Sequence, residues 1–223
     1  MTKAAAVRLS PKEKQRITTL FDRFADAVSD PRTELVYGSP YTLLVSVVLS
    51  AQATDVSVNK ATTALFKVAA TPAAMIALGE AALTPFIASI GLFRTKARNV
   101  IALSRLLLEQ HGGEVPLTRA ALQALPGVGR KTASVVLNEL GIAPAIAVDT
   151  HVFRVAHRLN LARAKTPDQV EDRLMRIVPK QRLTRAHHWL ILHGRYVCIA
   201  RKPRCKACPV ADLCPSRELF TGG

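Results

Sequence analysis

Serine or threonine stands directly before a proline at several positions, four of which we interpret as helix starts, and this pattern constrains the fold more than any other feature of the sequence. The four are Ser10, Thr71, Thr84 and Thr166. A hydroxyl at the N-cap accepts a hydrogen bond from an otherwise unpaired backbone amide, and proline is well tolerated at the first helical position. Glu13 and Gln169 also occupy the third position after two of these caps, as in a capping box. The pattern predicts that each of the four sites begins a helix.

The rest of the chain also favours helices over strands. Gly79, Gly112 and Gly141 stand where C-terminal caps are expected, and apolar residues recur at helical spacing, as in Val170, Leu174, Ile177 and Val178. Residues 43–49 are β-branched enough to resemble a buried strand. A strand there has no partner, because no other segment alternates cleanly between apolar and polar residues. We therefore predict an all-α protein.

Charge indicates the kind of partner. The chain has 31 Lys and Arg against 16 Asp and Glu, a net charge of +15, which suits a polyanion bound through its phosphates. A merely soluble basic surface, an anionic membrane and an acidic protein partner are the alternatives. No run of 18 apolar residues occurs, and residues 1–8 lack the apolar run of a secretory signal, so we expect a short disordered tail and a soluble, cytoplasmic protein.

All four cysteines lie close together near the C-terminus, at Cys198, Cys205, Cys208 and Cys214. This spacing allows four thiolates to converge on one metal centre, and disulfides are rare inside cells. The longer first and last gaps favour a 4Fe-4S cluster, with zinc as the alternative. The first gap carries Arg201, Lys202 and Arg204. Ordering the loop would make them a phosphate-binding patch, whereas fully solvated charges are the alternative.

A glycine-rich turn lies between two predicted helices in residues 122–133. Gly127 and Gly129 allow a tight turn whose amides, with those of the next helix, can bind a DNA phosphate. Lys131 falls in the first turn of that helix, where the dipole disfavours a cation. A lysine must be neutral to act as a nucleophile, and the helix terminus, partial burial and positive net charge would all favour the neutral amine. A solvent-facing lysine that contacts a DNA phosphate is the alternative for Lys131, and an ordinary αα-hairpin with a glycine cap is the alternative for the turn.

Asp149 precedes a further predicted helix and suits its N-cap. Capping requires only one carboxylate oxygen, which leaves the second to act as a base or to stabilise a developing positive charge. An anion within about 4 to 6 Å of Lys131 would favour the protonated amine. We therefore predict a longer or water-mediated separation between Asp149 and Lys131.

Taken together, residues 125–132, 148–151 and the four-cysteine loop resemble the endonuclease III family of helix-hairpin-helix DNA glycosylases. The resemblance includes residues 49–60 and 187–195, and it covers about residues 30 to 214. It implies two helical lobes that flank a DNA-binding cleft. One lobe is a six-helix barrel with the helix-hairpin-helix, in residues 33–143. The other consists of residues 1–32 and 144–223 and carries the 4Fe-4S cluster.

The resemblance also implies a function and a set of site residues. The expected enzyme removes oxidised pyrimidines from duplex DNA and cleaves the abasic site by β-elimination through a lysine Schiff base, as a monomer. Lys131 is the implied nucleophile and Asp149 its acidic partner, and the four cysteines are the implied cluster ligands. The expected DNA contacts are Gly127, Gly129, Arg130, His151, Arg201, Lys202 and Arg204, with Gln52 and Leu92 filling the gap left by the flipped base. From the pattern alone, Leu92 is a core residue and Gln52 an exposed helix end.

Two alternatives have different chemistry. An adenine-mismatch glycosylase of related sequence lacks a lysine at the position of Lys131 and carries an acidic residue near the helix of Gln52. A non-enzymatic DNA-binding module or redox regulator would use the hairpin and the cluster without forming a covalent intermediate. The histidines His187, His188 and His193 suit metal or base contacts, but we interpret them as packing or surface residues.

Overall fold

A computed structural model describes residues 8–221, so the predicted N-terminal tail lies almost wholly outside the described residues. Helices account for all the regular secondary structure in that range, which confirms the all-α fold. The α-helices are α1 (Pro11–Ala27), α2 (Pro40–Leu49), α3 (Asp55–Val68), α4 (Pro72–Ile87), α5 (Phe93–His111), α6 (Arg119–Gln123), α7 (Arg130–Glu139), α8 (Thr150–Arg158), α9 (Pro167–Ile177), α10 (Leu183–Tyr196) and α11 (Glu218–Thr221). No single helix in that range is long and apolar enough to cross a membrane, and α3 with α4 reaches that length only across a bend of 113°.

The chain forms two compact units. The continuous unit is Thr33–Ala143 and contains the six helices α2 to α7. The split unit combines Met1–Arg32 with Pro144–Gly223 and contains α1 and α8 to α11. Each unit has its own hydrophobic core.

Helix α2 forms the centre of the continuous unit's core. Every residue from Tyr41 to Leu49 is buried, which explains why this segment shows no helical periodicity in the sequence. Ser39 caps the helix, and its side chain and that of Thr42 exchange hydrogen bonds with each other's backbone amides. The ambiguous apolar segment is therefore a helix, and its start is a serine-proline site additional to the four predicted ones.

The core of the split unit joins helices that are far apart in the sequence. Ile17, Leu20 and Phe21 of α1 are almost completely buried, together with Trp189 of α10. The Trp189 indole donates a hydrogen bond to the carbonyl of Val28, at 2.8 Å. The predicted apolar stripe of α9 is buried in the same core, including Val178 just after the helix. The N-terminal helix is thus held against the C-terminal part of the chain.

Three of the four predicted helix starts are confirmed. Ser10, Thr71 and Thr166 each accept a hydrogen bond from the amide three residues later. The prediction at Thr84 is wrong, because that residue and the following proline lie inside α4, and its hydroxyl bonds back to the carbonyl of Glu80. Helix α4 is instead interrupted at Gly79, whose φ of +75° is outside the helical range.

The two predicted capping boxes are incomplete. The carboxylate of Glu13 pairs with Arg16, one turn further along α1. The side-chain oxygen of Gln169 accepts from the amide of Lys165 rather than from that of the N-cap residue Thr166. Both helices therefore keep the cap hydroxyl bond, while the reciprocal glutamate or glutamine bond is absent from the described structure.

Candidate functional site

The predicted hairpin is present in the continuous unit, between α6 and α7. The turn closes through a hydrogen bond from the amide of Val128 to the carbonyl of Leu125, at 3.1 Å. Helix α7 then begins at Arg130 with Gly129 as its N-cap, so no side chain caps its first turn. An uncapped helix N-terminus presents backbone amides and a positive partial charge, which suits an anionic group.

The two hairpin glycines differ in whether the structure has room for a side chain in their place. Gly127 has a φ of +79°, and a β-carbon there would lie 2.9 Å from the side-chain nitrogen of Asn99 on α5. Gly129 has an ordinary extended backbone, and a β-carbon added to it would meet no neighbouring atom within 4 Å. Gly127 is thus needed for the shape of the turn, whereas Gly129 leaves open space in front of α7.

Lys131 lies at the second position of α7 and is exposed, so the expected partial burial is wrong for this structure. The adjacent Arg130 is half-buried. The first turn of α7 contains no acidic residue. The lysine therefore projects from the positive end of a helix dipole, directly after the exposed hairpin glycines.

Gln52 and Leu92 occupy two neighbouring turns of the continuous unit. Both have left-handed backbones, with φ of 55° and 60°, which is uncommon for residues other than glycine. A β-carbon on Gly91 would lie 3.7 Å from the carbonyl oxygen of Gln52, so the two turns are in contact. Leu92 is 60% exposed, and its predicted place in the core is wrong. Residues held in this conformation are associated with ligand-binding sites.

Asp149 of the split unit caps α8, as predicted. Its Oδ1 atom accepts hydrogen bonds from the amides of His151 and Val152, both at 2.8 Å. Within residues 8–221 the Oδ2 atom makes no hydrogen bond, which leaves it available to a ligand. Helix α8 packs closely on α10, since a β-carbon on Gly194 would lie 2.9 Å from that of His151. Asp149 is half-buried and thus held at a well-defined helix terminus.

The four cysteines line one cavity of the split unit, and none forms a disulfide. Burial raises the pKa of the Cys208 thiol to about 11, and the charges of the other three cysteines add to this shift. Burial and two other cysteines also raise the pKa of Cys214. The sulfurs thus lie close enough together for each to disfavour the ionisation of the others. Thiols that converge on a metal site behave in this way until the metal binds and replaces their protons.

Four cysteine sulfurs line one cavity, which suits a group with several metal atoms. In a 4Fe-4S cluster each cysteine binds a different iron atom, so its ligands surround a cavity instead of meeting at one point. The donor set of four sulfurs around one cavity therefore fits such a cluster.

Arginine side chains hold the cysteine loop in place, and no pattern in the sequence predicted this role. Arg158 donates to the carbonyls of Ile199 and Ala200, at 2.8 and 2.7 Å, and its Nη1 lies 3.4 Å from the sulfur of Cys198. Arg154 donates to the carbonyl of Cys198 at 3.0 Å. Arg16 and Arg23 of α1 donate to the carbonyls of Leu213 and Pro209. Their sequence positions, on helices far from the cysteines, gave no signal of this role.

His193 is a second component of the cavity, although the sequence indicated only a packing or surface position for it. It is buried near the end of α10, and its Nε2 atom lies 3.8 Å from the sulfur of Cys208. Burial lowers the pKa of His193 to about 4. His187 and His188 are also buried on α10 and contact each other edge to face, consistent with packing.

The basic residues of the first cysteine gap are all exposed. Arg201, Lys202 and Arg204 lie on the loop whose carbonyls Arg158 holds. Ordering of this loop therefore fixes the three cations on the surface of the split unit, as expected for contacts to a phosphate backbone.

Comparisons with known proteins agree with this geometry. Residues 45–180 match the family described as "HhH-GPD superfamily base excision DNA repair protein", and residues 198–214 match the "Iron-sulfur binding domain of endonuclease III". The chain is 55% identical over 205 residues to endonuclease III of Escherichia coli strain K12, covering 92% of this chain and 97% of that relative. Endonuclease III of Treponema pallidum is 50% identical over 207 residues, with 93% and 98% covered.

Two solved structures are similar over nearly the whole chain. A non-covalent endonuclease III-DNA complex matches with a TM-score of 0.89 and 44% identity, covering 97% of this chain and all of that one. A trapped endonuclease III-DNA covalent intermediate matches with a TM-score of 0.87 and 45% identity, covering 95% and 99%. A thermostable thymine-DNA glycosylase shares the fold at 22% identity, with a TM-score of 0.80.

Proposed function

The chain belongs to the endonuclease III family, whose members are bifunctional DNA glycosylases and abasic-site lyases of base-excision repair, and from that premise we propose that Lys131 is its nucleophile. The observation that carries the proposal is the exposed position of Lys131 at the uncapped N-terminus of α7, directly after the hairpin. The similar endonuclease III was trapped covalently on DNA, which requires a protein nucleophile. A lysine amine is the nucleophile that forms a Schiff base with a sugar carbon.

In the proposed reaction the amine of Lys131 first displaces the damaged base and then, as an imine, promotes strand cleavage. The neutral Nζ of Lys131 attacks C1′ of the damaged nucleotide, and the glycosidic bond breaks as the base leaves with the bonding electrons and takes up a proton. The sugar ring then opens to give an imine between Nζ and C1′. Loss of a proton from C2′ expels the 3′ phosphate by β-elimination, which cleaves the strand, and water releases the lysine from the imine.

Asp149 supports this reaction through its uncommitted oxygen. Its Oδ1 atom is occupied by the cap of α8, whereas Oδ2 makes no hydrogen bond within the described residues. We propose that Oδ2 accepts a proton or stabilises the positive charge that develops on the sugar. This role requires that Asp149 not form a tight ion pair with Lys131, since such a pair would keep the amine protonated.

Duplex DNA is bound through the backbone and through two inserted side chains. The hairpin amides and the N-terminus of α7 suit a phosphate, with Gly127, Gly129 and Arg130 beside it. We propose that Gln52 and the exposed Leu92 fill the gap left by the flipped nucleotide, which offsets the lost stacking. His151, Arg201, Lys202 and Arg204 supply further contacts to the DNA.

The protein has a 4Fe-4S cluster, and we propose that Cys198, Cys205, Cys208 and Cys214 are its ligands. When bound, the cluster ties the cysteine loop together and supplies no step of the proposed lysine chemistry. Arg158 and Arg154 also hold this loop, which carries the basic residues 201, 202 and 204. We further propose that the enzyme is a cytoplasmic monomer that works on nucleoid DNA.

The proposed substrates are oxidised pyrimidines and abasic sites in duplex DNA. Lys131 argues against an adenine-mismatch glycosylase, because that reaction class lacks the lysine at this position. A non-enzymatic DNA-binding module would use Lys131 only as a phosphate contact and would form no covalent intermediate. A panel of duplexes with single oxidised pyrimidines, mismatches or an abasic site separates these activities. Cleavage confined to mismatched adenine would contradict the proposed substrate class.

Borohydride trapping tests the nucleophile directly. Wild-type protein incubated with abasic duplex and borohydride should give a reduced covalent adduct, and Lys131→Ala should give none. Lys14→Ala, which removes an exposed lysine of α1, is the matched control and should trap like wild type. An adduct formed by Lys131→Ala at the wild-type yield would overturn the assignment.

A further inference from the structure

His193 contacts the cysteine cavity through both its side chain and its backbone. Its carbonyl oxygen accepts hydrogen bonds from the amides of Val197 and Cys198, at 3.0 and 2.7 Å. Its ring nitrogen Nε2 lies 3.8 Å from the sulfur of Cys208, within the range of a hydrogen bond to sulfur. A single residue thus contacts the first and the third cysteine of the loop, although it is not itself one of the four sulfur ligands.

The imidazole ring is held in this orientation by its surroundings. Its centroid lies 4.9 Å from that of Phe24 on α1, with the ring planes at 52°. The residue is 6% exposed, so little water is available to compete for its nitrogens. Because α10 ends three residues later, the helix fixes the ring at the edge of the cavity. The position of Nε2 is therefore set by packing as well as by the sulfur.

We propose that the His193 ring donates an N–H···S hydrogen bond from Nε2 to the thiolate of Cys208 and thereby raises the reduction potential of the iron-sulfur cluster. A cluster-bound thiolate is an acceptor, so the contact selects the ring tautomer that carries its proton on Nε2. The hydrogen bond withdraws negative charge from the sulfur, which favours the more reduced level of the cluster. His193 is thus a positioning residue for the cluster.

The proposal rests on the cysteines as cluster ligands and is independent of the role of Lys131. Iron content and the visible absorption of the purified protein are measured first, and a protein without iron would contradict the ligand assignment. Purified protein that contains iron but forms no borohydride adduct would contradict only the assignment of Lys131 as the nucleophile. The two assignments therefore fail separately.

Two substitutions separate the hydrogen bond from packing. His193→Phe keeps a ring against Phe24 and removes the donor, whereas His193→Gln keeps an N–H donor at a similar distance from the main chain. We expect the cluster potential of His193→Phe to shift to more negative values and that of His193→Gln to stay near wild type. Phe24→Leu controls for packing and should lower thermal stability with no shift in potential. Equal potentials for wild type and His193→Phe would overturn the proposal.

A measurement on the unmodified holoprotein covers the case in which His193→Phe does not fold. Exchange into D2O replaces the proton on Nε2, so resonance Raman bands of the iron–sulfur(cysteine) stretches should shift. The same exchange in His193→Gln should also produce a shift, since that variant retains a donor. Spectra of wild type that are identical in H2O and D2O would contradict the hydrogen bond.

Discussion

The hairpin of the continuous unit and the cysteine loop of the split unit are built in opposite ways. Gly127, Gly129 and Lys131 are exposed, and the first turn of α7 has no capping side chain. The cysteine loop is instead held by arginines from two helices that donate to its backbone carbonyls, among them Arg16 and Arg158. The first-turn amides of α7 are thus left to a ligand. The carbonyls of the cysteine loop instead accept hydrogen bonds from arginines of the same chain.

This difference predicts two kinds of failure. A substitution at the hairpin or at Asp149 that leaves the turn and the cap of α8 intact should mainly reduce DNA binding or chemistry, because it removes few contacts within the protein. A substitution of the cysteines, or of the arginines that hold their loop, should mainly reduce stability, because the arginines, the sulfurs and the cluster hold one another in place. The sharpest tests are substitutions that change activity without changing stability, or stability without changing activity.

The largest expected effect is that of Asp149→Asn. Asparagine caps helices as well as aspartate does, so the thermal stability should change little. The amide is neutral and cannot accept the proton assigned to Oδ2, so the rate of strand cleavage should fall by roughly 10² to 10⁴. Single-turnover cleavage of an abasic duplex and a thermal melt measure the two effects on one preparation.

Asp149→Ala is the paired variant for this comparison. It removes both the cap and the carboxylate, and should therefore lose about 1 kcal/mol of stability in addition to activity. If Asp149→Asn cleaves DNA at the wild-type rate, the carboxylate serves only as a helix cap and its proposed chemical role is wrong.

The next largest effect is the removal of the cluster. A ligand present at 100 to 1,000 times its Kd stabilises the folded state by about 3 to 4 kcal/mol, so apoprotein should lose at least that amount. The loss should be confined to the split unit. Hydrogen exchange should accelerate around Pro209 and Leu213, whose carbonyls bind arginines of α1, and stay unchanged in α2. Equal acceleration in α2 would show that the two units do not differ in this way.

The hairpin offers a matched pair of glycines with a smaller effect. Gly127→Ala forces a left-handed backbone on alanine and places a β-carbon against Asn99, which should cost about 1 to 3 kcal/mol. Gly129→Ala introduces a methyl group into open space at an ordinary φ and should leave stability nearly unchanged. Its affinity for abasic duplex should still fall if the amides of α7 bind a phosphate. Denaturant melts and a DNA titration at fixed salt distinguish the two variants.

Local patterns predicted the helices well where the signal and the structure concern the same few residues. The N-caps at Ser10, Thr71 and Thr166 are contacts over three positions, and they are confirmed. Thr84 carries the same pattern and fails, because α4 is interrupted earlier, at Gly79, and continues past Thr84. The choice between a strand and a helix at α2 depended on the absence of a partner strand, which is a property of the whole chain.

The site was less predictable where tertiary contacts decide the role of a residue. Leu92 resembles a core residue in sequence, but a left-handed turn exposes it beside Gln52. Arg158 and His193 contact the cysteine cavity from α8 and α10, and their distance along the chain from Cys198 and Cys208 gives no pattern to detect. Contacts to the cavity from residues outside the cysteine loop follow from helix packing, which a local sequence pattern does not encode.

The smallest expected effect concerns the basic patch, and it tests whether the cysteine loop also serves DNA binding. Single alanine substitutions of Arg201, Lys202 and Arg204 should leave stability unchanged, because all three side chains are exposed. Each phosphate contact removed should reduce the slope of log affinity against log salt by about 0.9. Titrations of a duplex at several salt concentrations measure that slope. An unchanged slope for all three variants would mean that these cations are only solvated, and that the arginines hold the loop for the cluster alone.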